Sequence, residues 1–236
     1  MISHNTLKTG NNNLFYQRTR IKICGLTSLS DALEAVRLGA DALGFIFVKE
    51  SPRLVEPEVI AGITPRLPPF ITNVGVFKDQ DPEWIRGVAH LCGLHLIQLH
   101  GRESPEYCQS LGLNFIKAFR IKNDDSLSCL KEYENLSKMT AFLLDTFVPD
   151  KAGGTGQTFD WRLARIASES GLEPIILSGG INAQNVRQAI MQVRPFAVDT
   201  SSGVEIEPGK KDLNKMKAFF KQVHTTTDSL LDIKGS

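Results

Sequence analysis

From residue 20 onward, short apolar runs alternate with stretches whose apolar positions recur at helical spacing. The runs cover residues 20–24, 42–47, 71–77, 94–99, 115–119, 142–145, 174–177 and 196–199. They are strongly apolar, as strands buried on both faces are. Successive runs start roughly twenty to thirty residues apart, the length of one strand, one crossover helix and two short loops. Helix signals fill the gaps. Residues 31–39 read as a helix closed by Gly39. Asp81-Pro82 and Ser104-Pro105 each set a capping side chain before a proline at the first helical position, with Gly93 and Gly112 as stops. Pro57, Asp125, Asp160 and Asn182 mark four further starts, and residues 212–223 supply the last helix.

Eight strands alternating with eight helices predict an α/β fold, a single (β/α)₈ TIM barrel. The rival, an open doubly wound sheet, usually carries a glycine fingerprint after its first strand, and Cys24-Gly25-Leu26-Thr27 does not supply one. A length of 236 residues suits one such domain. The expected organisation is a loosely packed extension over residues 1–19, a barrel over 20–224 and a tail over 225–236.

Composition narrows the partners. A formal net charge of +1 offers no electrostatic footing for nucleic acid or an anionic membrane, so an anionic ligand has to be held by a local site. Cys24, Cys92, Cys108 and Cys129 are scattered without metal-ligand spacing, which points to reduced thiols rather than zinc or disulfides. Neither a signal-peptide pattern nor a membrane-length apolar run is present, so a soluble, cytoplasmic protein is expected.

In a barrel the strand ends converge on one mouth, and the polar residues there are the candidates for chemistry. Cys24 ends the first run; Lys22, two positions back, shares its face and would favour the thiolate. A buried, inert cysteine is the alternative. Asp145 ends the sixth run, either as a general acid or as a loop-fixing carboxylate. Arg53, in Ser51-Pro52-Arg53, offers a planar fork for a carboxylate, or is a solvated surface charge. His100 is a second acid/base group or a structural histidine. Glycine-rich turns follow three strands. They are the turn with Gly153, Gly154 and Gly156, the turn with Gly179 and Gly180, and Asp199-Thr200-Ser201-Ser202-Gly203. Turns of this kind after strands seven and eight form the phosphate site of this fold.

Taken together, these pieces resemble the phosphoribosylanthranilate isomerase family. The matching stretches are KICGLT at 22–27, GADALGFIF at 39–47, SPR at 51–53, VGVF at 74–77 and QLHG at 98–101. LLDT at 143–146, GGTG at 153–156, LSGGI at 177–181 and DTSSGVE at 199–205 complete the set in family order. Thr200 stands where relatives often carry valine. The resemblance implies a barrel of the ribulose-phosphate-binding type that needs no metal and no organic cofactor, acting on a small phosphorylated substrate as a monomer or weak homodimer. It implies an Amadori rearrangement in tryptophan biosynthesis, with Cys24 as general base, Asp145 as general acid and Arg53 on the anthranilate carboxylate. Gly154, Gly156, Gly179, Gly180, Ser201, Ser202 and Gly203 would hold the phosphate, and Asp199 would help position the amine or hydroxyls. The related histidine-pathway isomerase carries an aspartate where this chain has Cys24. A phosphosugar epimerase or aldolase would want metal ligands or a Schiff-base lysine. A non-catalytic barrel would keep the phosphate loops and lose the acid/base pair.

Overall fold

Along residues 20–23 the side chains alternate. Ile21 and Ile23 are wholly buried in the layer between strands and helices, while Lys22 points into the barrel. In the computed structural model, which describes residues 18–121, 123, 125–145 and 161–232, the strands are β1 (Arg20–Ile23), β2 (Ala42–Ile46), β3 (Thr72–Phe77), β4 (Leu96–Leu99), β5 (Phe115–Arg120), β6 (Met139–Asp145), β7 (Ile175–Ser178) and β8 (Ala197–Thr200). They form a closed parallel barrel in sequence order, shut by pairing of β1 with β8. Val74, Ile116, Ala118, Ala141, Leu143, Ile176 and Ala197 fill its interior. A polar layer of Lys22, Gln98 and Asp199, which share the inward face of their strands, lies above them, all nearly inaccessible.

The helices are α1 (Leu29–Arg37), α2 (Pro57–Ile63), α3 (Pro82–Leu91), α4 (Pro105–Ser110), α5 (Asp125–Ser128), α6 (Trp161–Glu169), α7 (Val186–Val193) and α8 (Leu213–Asp232). The expected caps form. Asp81 accepts from the backbone N–H groups of Glu83 and Trp84, and Ser104 accepts from that of Tyr107. Each such cap is worth about 1 kcal/mol. Gly39, Gly93 and Gly112 adopt positive φ just past α1, α3 and α4, the conformation that closes a helix.

Several boundaries differ from expectation. β6 starts at Met139, because Thr140 anchors the extra residues by donating to the Phe115 carbonyl at 2.9 Å. Asn182 does not begin a helix. Its side chain accepts from the N–H groups of Gln184 and Asn185 in a local turn, and α7 follows at Val186. The boundary expected at 224 falls inside α8, which continues to Asp232. There Thr226 and Thr227 are buried and bond to the carbonyls of Gln222 and Val223. At the other end, Arg18 pairs with Asp41 and Thr19 is buried, so packing begins before residue 20. A small hairpin of β9 (Glu205–Glu207) and β10 (Lys210–Lys211), unforeseen from the pattern, folds back over the mouth. Among the described residues no helix is long and apolar enough to cross a membrane.

Candidate active site

Cys24 follows β1 directly, and its backbone N–H donates to Thr200 at 2.9 Å, extending the β1/β8 ladder by one residue. Its side chain is therefore on the inward face with Lys22, at the C-terminal mouth. Burial pushes the thiol up, and the Asp199 carboxylate adds to that; Lys22 and Lys211 pull it down but do not prevail, so it sits above its ordinary value. The expected influence of Lys22 thus has the right sign and is outweighed by desolvation. The resting group is a thiol, and its thiolate, once formed, is a stronger base than an ordinary one.

Room for this pair comes from Gly44 on β2. A Cβ there would lie 2.7 Å from Cys24 Sγ, 3.0 Å from Cys24 Cα and 3.1 Å from Lys22 Nζ. Two of these atoms belong to one residue held by the sheet, so the clash has no easy relief. Gly44→Ala is expected to displace the thiol and cut kcat/KM by about a hundredfold, the usual cost of misplacing a reacting group by about 1 Å. Steady-state kinetics beside a thermal melt would check this, and unchanged kcat/KM would show that the sulfur position is not critical.

Lys22 Nζ donates to Asp199 Oδ1 at 2.9 Å, and Ser178 Oγ donates to Asp199 Oδ2 at 2.9 Å. Ser178 in turn sits in register with Asp145 at the end of β6. The strand ends thereby form a continuous polar belt from Cys24 through Lys22, Asp199 and Ser178 to Asp145. Asp145 Oδ2 lies 3.3 Å from His100 Nε2, and His100 Nδ1 lies 2.9 Å from Gln98 Nε2. Gln98 thereby fixes the ring so that Nε2 faces the Asp145 carboxyl. The turn directly after His100 is held by the buried Lys117–Glu103 pair at 2.9 Å. Lys117 donates to the Gly101 carbonyl, and Glu103 accepts from the Gly101 N–H. His100, Lys117 and Arg120 line a cavity of about 820 Å³ beside the mouth.

Arg53, in the loop after β2, reaches Glu205 in a fork: Nε donates at 2.9 and 3.0 Å, and Nη2 at 2.6 Å. The bonds from Glu205 raise the guanidinium's pKa despite partial burial. Gly25, at φ +71°, lies under the arginine stem, where a Cβ would come within 2.6 Å of Arg53 Cδ. The turns after β7 and β8 are stitched together, because Thr200 Oγ1 donates to the Ile181 carbonyl at 2.6 Å and a Cβ on Gly203 would lie 2.2 Å from that same oxygen. Gly179 and Gly180 take φ of +85° and +65°, and Ser202 opens a short 3₁₀ turn. Gly153, Gly154 and Gly156 lie outside the described residues.

The sequence model of N-(5'-phosphoribosyl)anthranilate (PRA) isomerases matches residues 21–222. The chain belongs to this family. It is 48% identical over 201 residues to the N-(5'-phosphoribosyl)anthranilate isomerase of Geobacter sp. (strain M21), covering 85% of this chain and 96% of that one. The crystal structure of phosphoribosyl anthranilate isomerase from Thermotoga maritima superposes with a TM-score of 0.81 at 44% identity, covering 88% of this chain and 99% of that one. A phosphoribosyl anthranilate isomerase structure in complex with reduced 1-(o-carboxyphenylamino)-1-deoxyribulose 5-phosphate superposes at 0.78 with 42% identity, over 88% of this chain and 99% of that one.

At the mouth, Cys24, Asp199 and Asp145 stand near the ends of β1, β8 and β6, and the Arg53 stem lies over Gly25 from the loop after β2. Sequence reasoning missed three participants. Gly44 carried a signal, since a glycine inside a strand marks a close approach. Glu205 closes the DTSSGVE stretch without a role being read for it, and Lys211 carried no signal that a local window reveals.

Proposed function

We propose that the chain is an isomerase of tryptophan biosynthesis. It converts N-(5-phosphoribosyl)anthranilate to 1-(2-carboxyphenylamino)-1-deoxyribulose 5-phosphate in the cytoplasm by general acid/base catalysis. The observation that carries this reading is the pairing, at one barrel mouth of this family, of a cysteine beside Lys22 with an aspartate beside His100.

The chemistry divides between them. Asp145 gives its proton to the furanose ring oxygen as the C1–O bond breaks, leaving a protonated Schiff base at C1. That cation acidifies the C2 proton, which the Cys24 thiolate removes. The resulting enolamine becomes the ketone as the C2 hydroxyl loses a proton and C1 gains one. Each of the two catalytic groups contributes about 10²- to 10⁴-fold. Asp199, already bonded to Lys22 and Ser178, is assigned to the neighbouring amine or hydroxyls through its remaining lone pairs. The phosphate falls to the Gly179-Gly180 and Ser201-Ser202-Gly203 turns together with Gly154 and Gly156, and the anthranilate carboxylate to Arg53. Holding both ends of the substrate fixes the reacting carbons between acid and base.

The direct test is decay of phosphoribosylanthranilate fluorescence with purified protein; folded protein that leaves the signal unchanged would defeat the proposal. In the same assay Arg53→Ala is expected to raise KM roughly 10- to 100-fold, the worth of a charge-assisted carboxylate contact, with a smaller change in kcat. An unchanged KM would remove the carboxylate from Arg53.

A further inference from the structure

Arg53 meets Glu205 along one edge only. Nε and Nη2 are both committed, whereas Nη1 has no partner among the described residues. The Arg53 side chain is 19% exposed and the Glu205 side chain 4%, so the arginine is open to the mouth and its partner is not. Glu205 is also fixed from behind. Lys211 Nζ, wholly buried, donates to Glu205 Oε1 at 2.8 Å and to the Cys24 carbonyl at 2.6 Å. The Gly209 N–H adds a bond to Oε1 at 3.3 Å, and Lys215 Nζ holds the Glu205 backbone carbonyl at 2.7 Å. Thr27 Oγ1 ties the hairpin to the loop after β1 by donating to the Gly209 carbonyl at 2.5 Å.

We propose that Glu205, anchored by Lys211 on the hairpin after β8, is a positioning residue that aims the outer edge of Arg53 at the substrate carboxylate. This rests on the function proposed above. A carboxylate clamped by a hairpin cannot follow a mobile guanidinium, so it sets the plane and direction of the fork. A planar fork recognises a second carboxylate only in a narrow range of orientations. The charge balance agrees: Arg53 and Lys211 bring two positive charges against the single negative charge of Glu205, leaving one in surplus for an anion. Burial opposes the Glu205 carboxylate, yet bonds from Arg53 and Lys211 hold its pKa below the ordinary range, so it stays charged. Lys211 also ties Glu205 to the backbone of Cys24, which couples the carboxylate end of the site to the base.

The rival role for Glu205 is that of a competitor which Arg53 must leave before substrate binds. The two roles predict opposite signs. The experiment compares the affinity of reduced 1-(2-carboxyphenylamino)-1-deoxyribulose 5-phosphate with that of its phenylamino counterpart lacking the carboxylate. Wild type, Glu205→Gln, Arg53→Ala and the double variant are titrated calorimetrically. Glu205→Gln should weaken the carboxylate-bearing ligand by about tenfold, the loss of one charge-assisted bond, and leave the other ligand within about twofold. In the Arg53→Ala background the same change should cost nothing further, which a general loosening of the mouth would not reproduce. Tighter or unchanged binding of the carboxylate ligand to Glu205→Gln would overturn the inference. If the lone variant fails to fold because Lys211 is left unpaired, Glu205→Gln/Lys211→Met removes both buried charges and carries the same expectation. Wild-type protein that binds neither ligand would overturn the function itself, and this inference with it.

Discussion

Cys24→Ser is expected to lower kcat by about 10²- to 10⁴-fold with little change in KM or in the melting temperature. Serine fills nearly the same volume and keeps the ladder bond from its backbone N–H to Thr200, so the fold has no reason to respond. Its hydroxyl, however, ionises far above any thiol, and the burial that already raises Cys24 would raise it further. The pH dependence supplies a second readout. A base must be deprotonated to act, and the Cys24 pKa is raised, first by desolvation and then by Asp199. In the wild type kcat/KM should therefore climb with pH through neutrality and continue climbing past about 8.5, where an unperturbed thiol would level off. The serine variant should lose that thiol titration. Fluorescence decay across this range would decide the matter: a serine variant with wild-type turnover, or an ascending limb that levels below the ordinary thiol value, removes Cys24 from the role of base.

Cys24 also shows how far a pattern along the chain reaches. The barrel was legible because every strand is a local event, an apolar run closed by a turn, and because caps such as Asp81-Pro82 and Ser104-Pro105 announce helices within four residues. Once the strands are known to be parallel and closed, topology brings Cys24, Asp145 and Asp199 to one mouth without further information. What stayed hidden was the pairing among side chains. Lys22 and Asp199 lie 177 positions apart, and Arg53 and Glu205 lie 152 apart. A charged residue in a loop carries no mark of its distant partner. The hairpin of β9 and β10 is short and polar, so hydrophobic periodicity passes over it. The end of α8 escaped for a local reason. The Thr225-Thr226-Thr227 run is a poor helix former in isolation, but here the hydroxyls of Thr226 and Thr227 bond one turn back and those two residues are buried. Thr200 stands where relatives often carry valine, and its hydroxyl, which valine lacks, joins the two turns assigned to the phosphate by bonding the Ile181 carbonyl.

For Asp145→Asn the expected loss is again about 10²- to 10⁴-fold in kcat, arising at a different step. Asparagine preserves the shape and can still bond His100 Nε2, 3.3 Å from the carboxylate it replaces. It has no proton to give to the ring oxygen, so furanose opening becomes the slow event. The two losses can be separated with substrate deuterated at C2. When Cys24 is replaced, removal of that hydrogen is the slow step, and a full primary isotope effect should appear. When Asp145 is replaced, the ring opens before the C2 bond is touched, and the isotope effect should collapse toward unity. A large isotope effect in the asparagine variant would place its defect at deprotonation rather than ring opening. Undiminished turnover in that variant would assign the acid to another group, with His100 the nearest proton-bearing side chain and His100→Asn the experiment to follow.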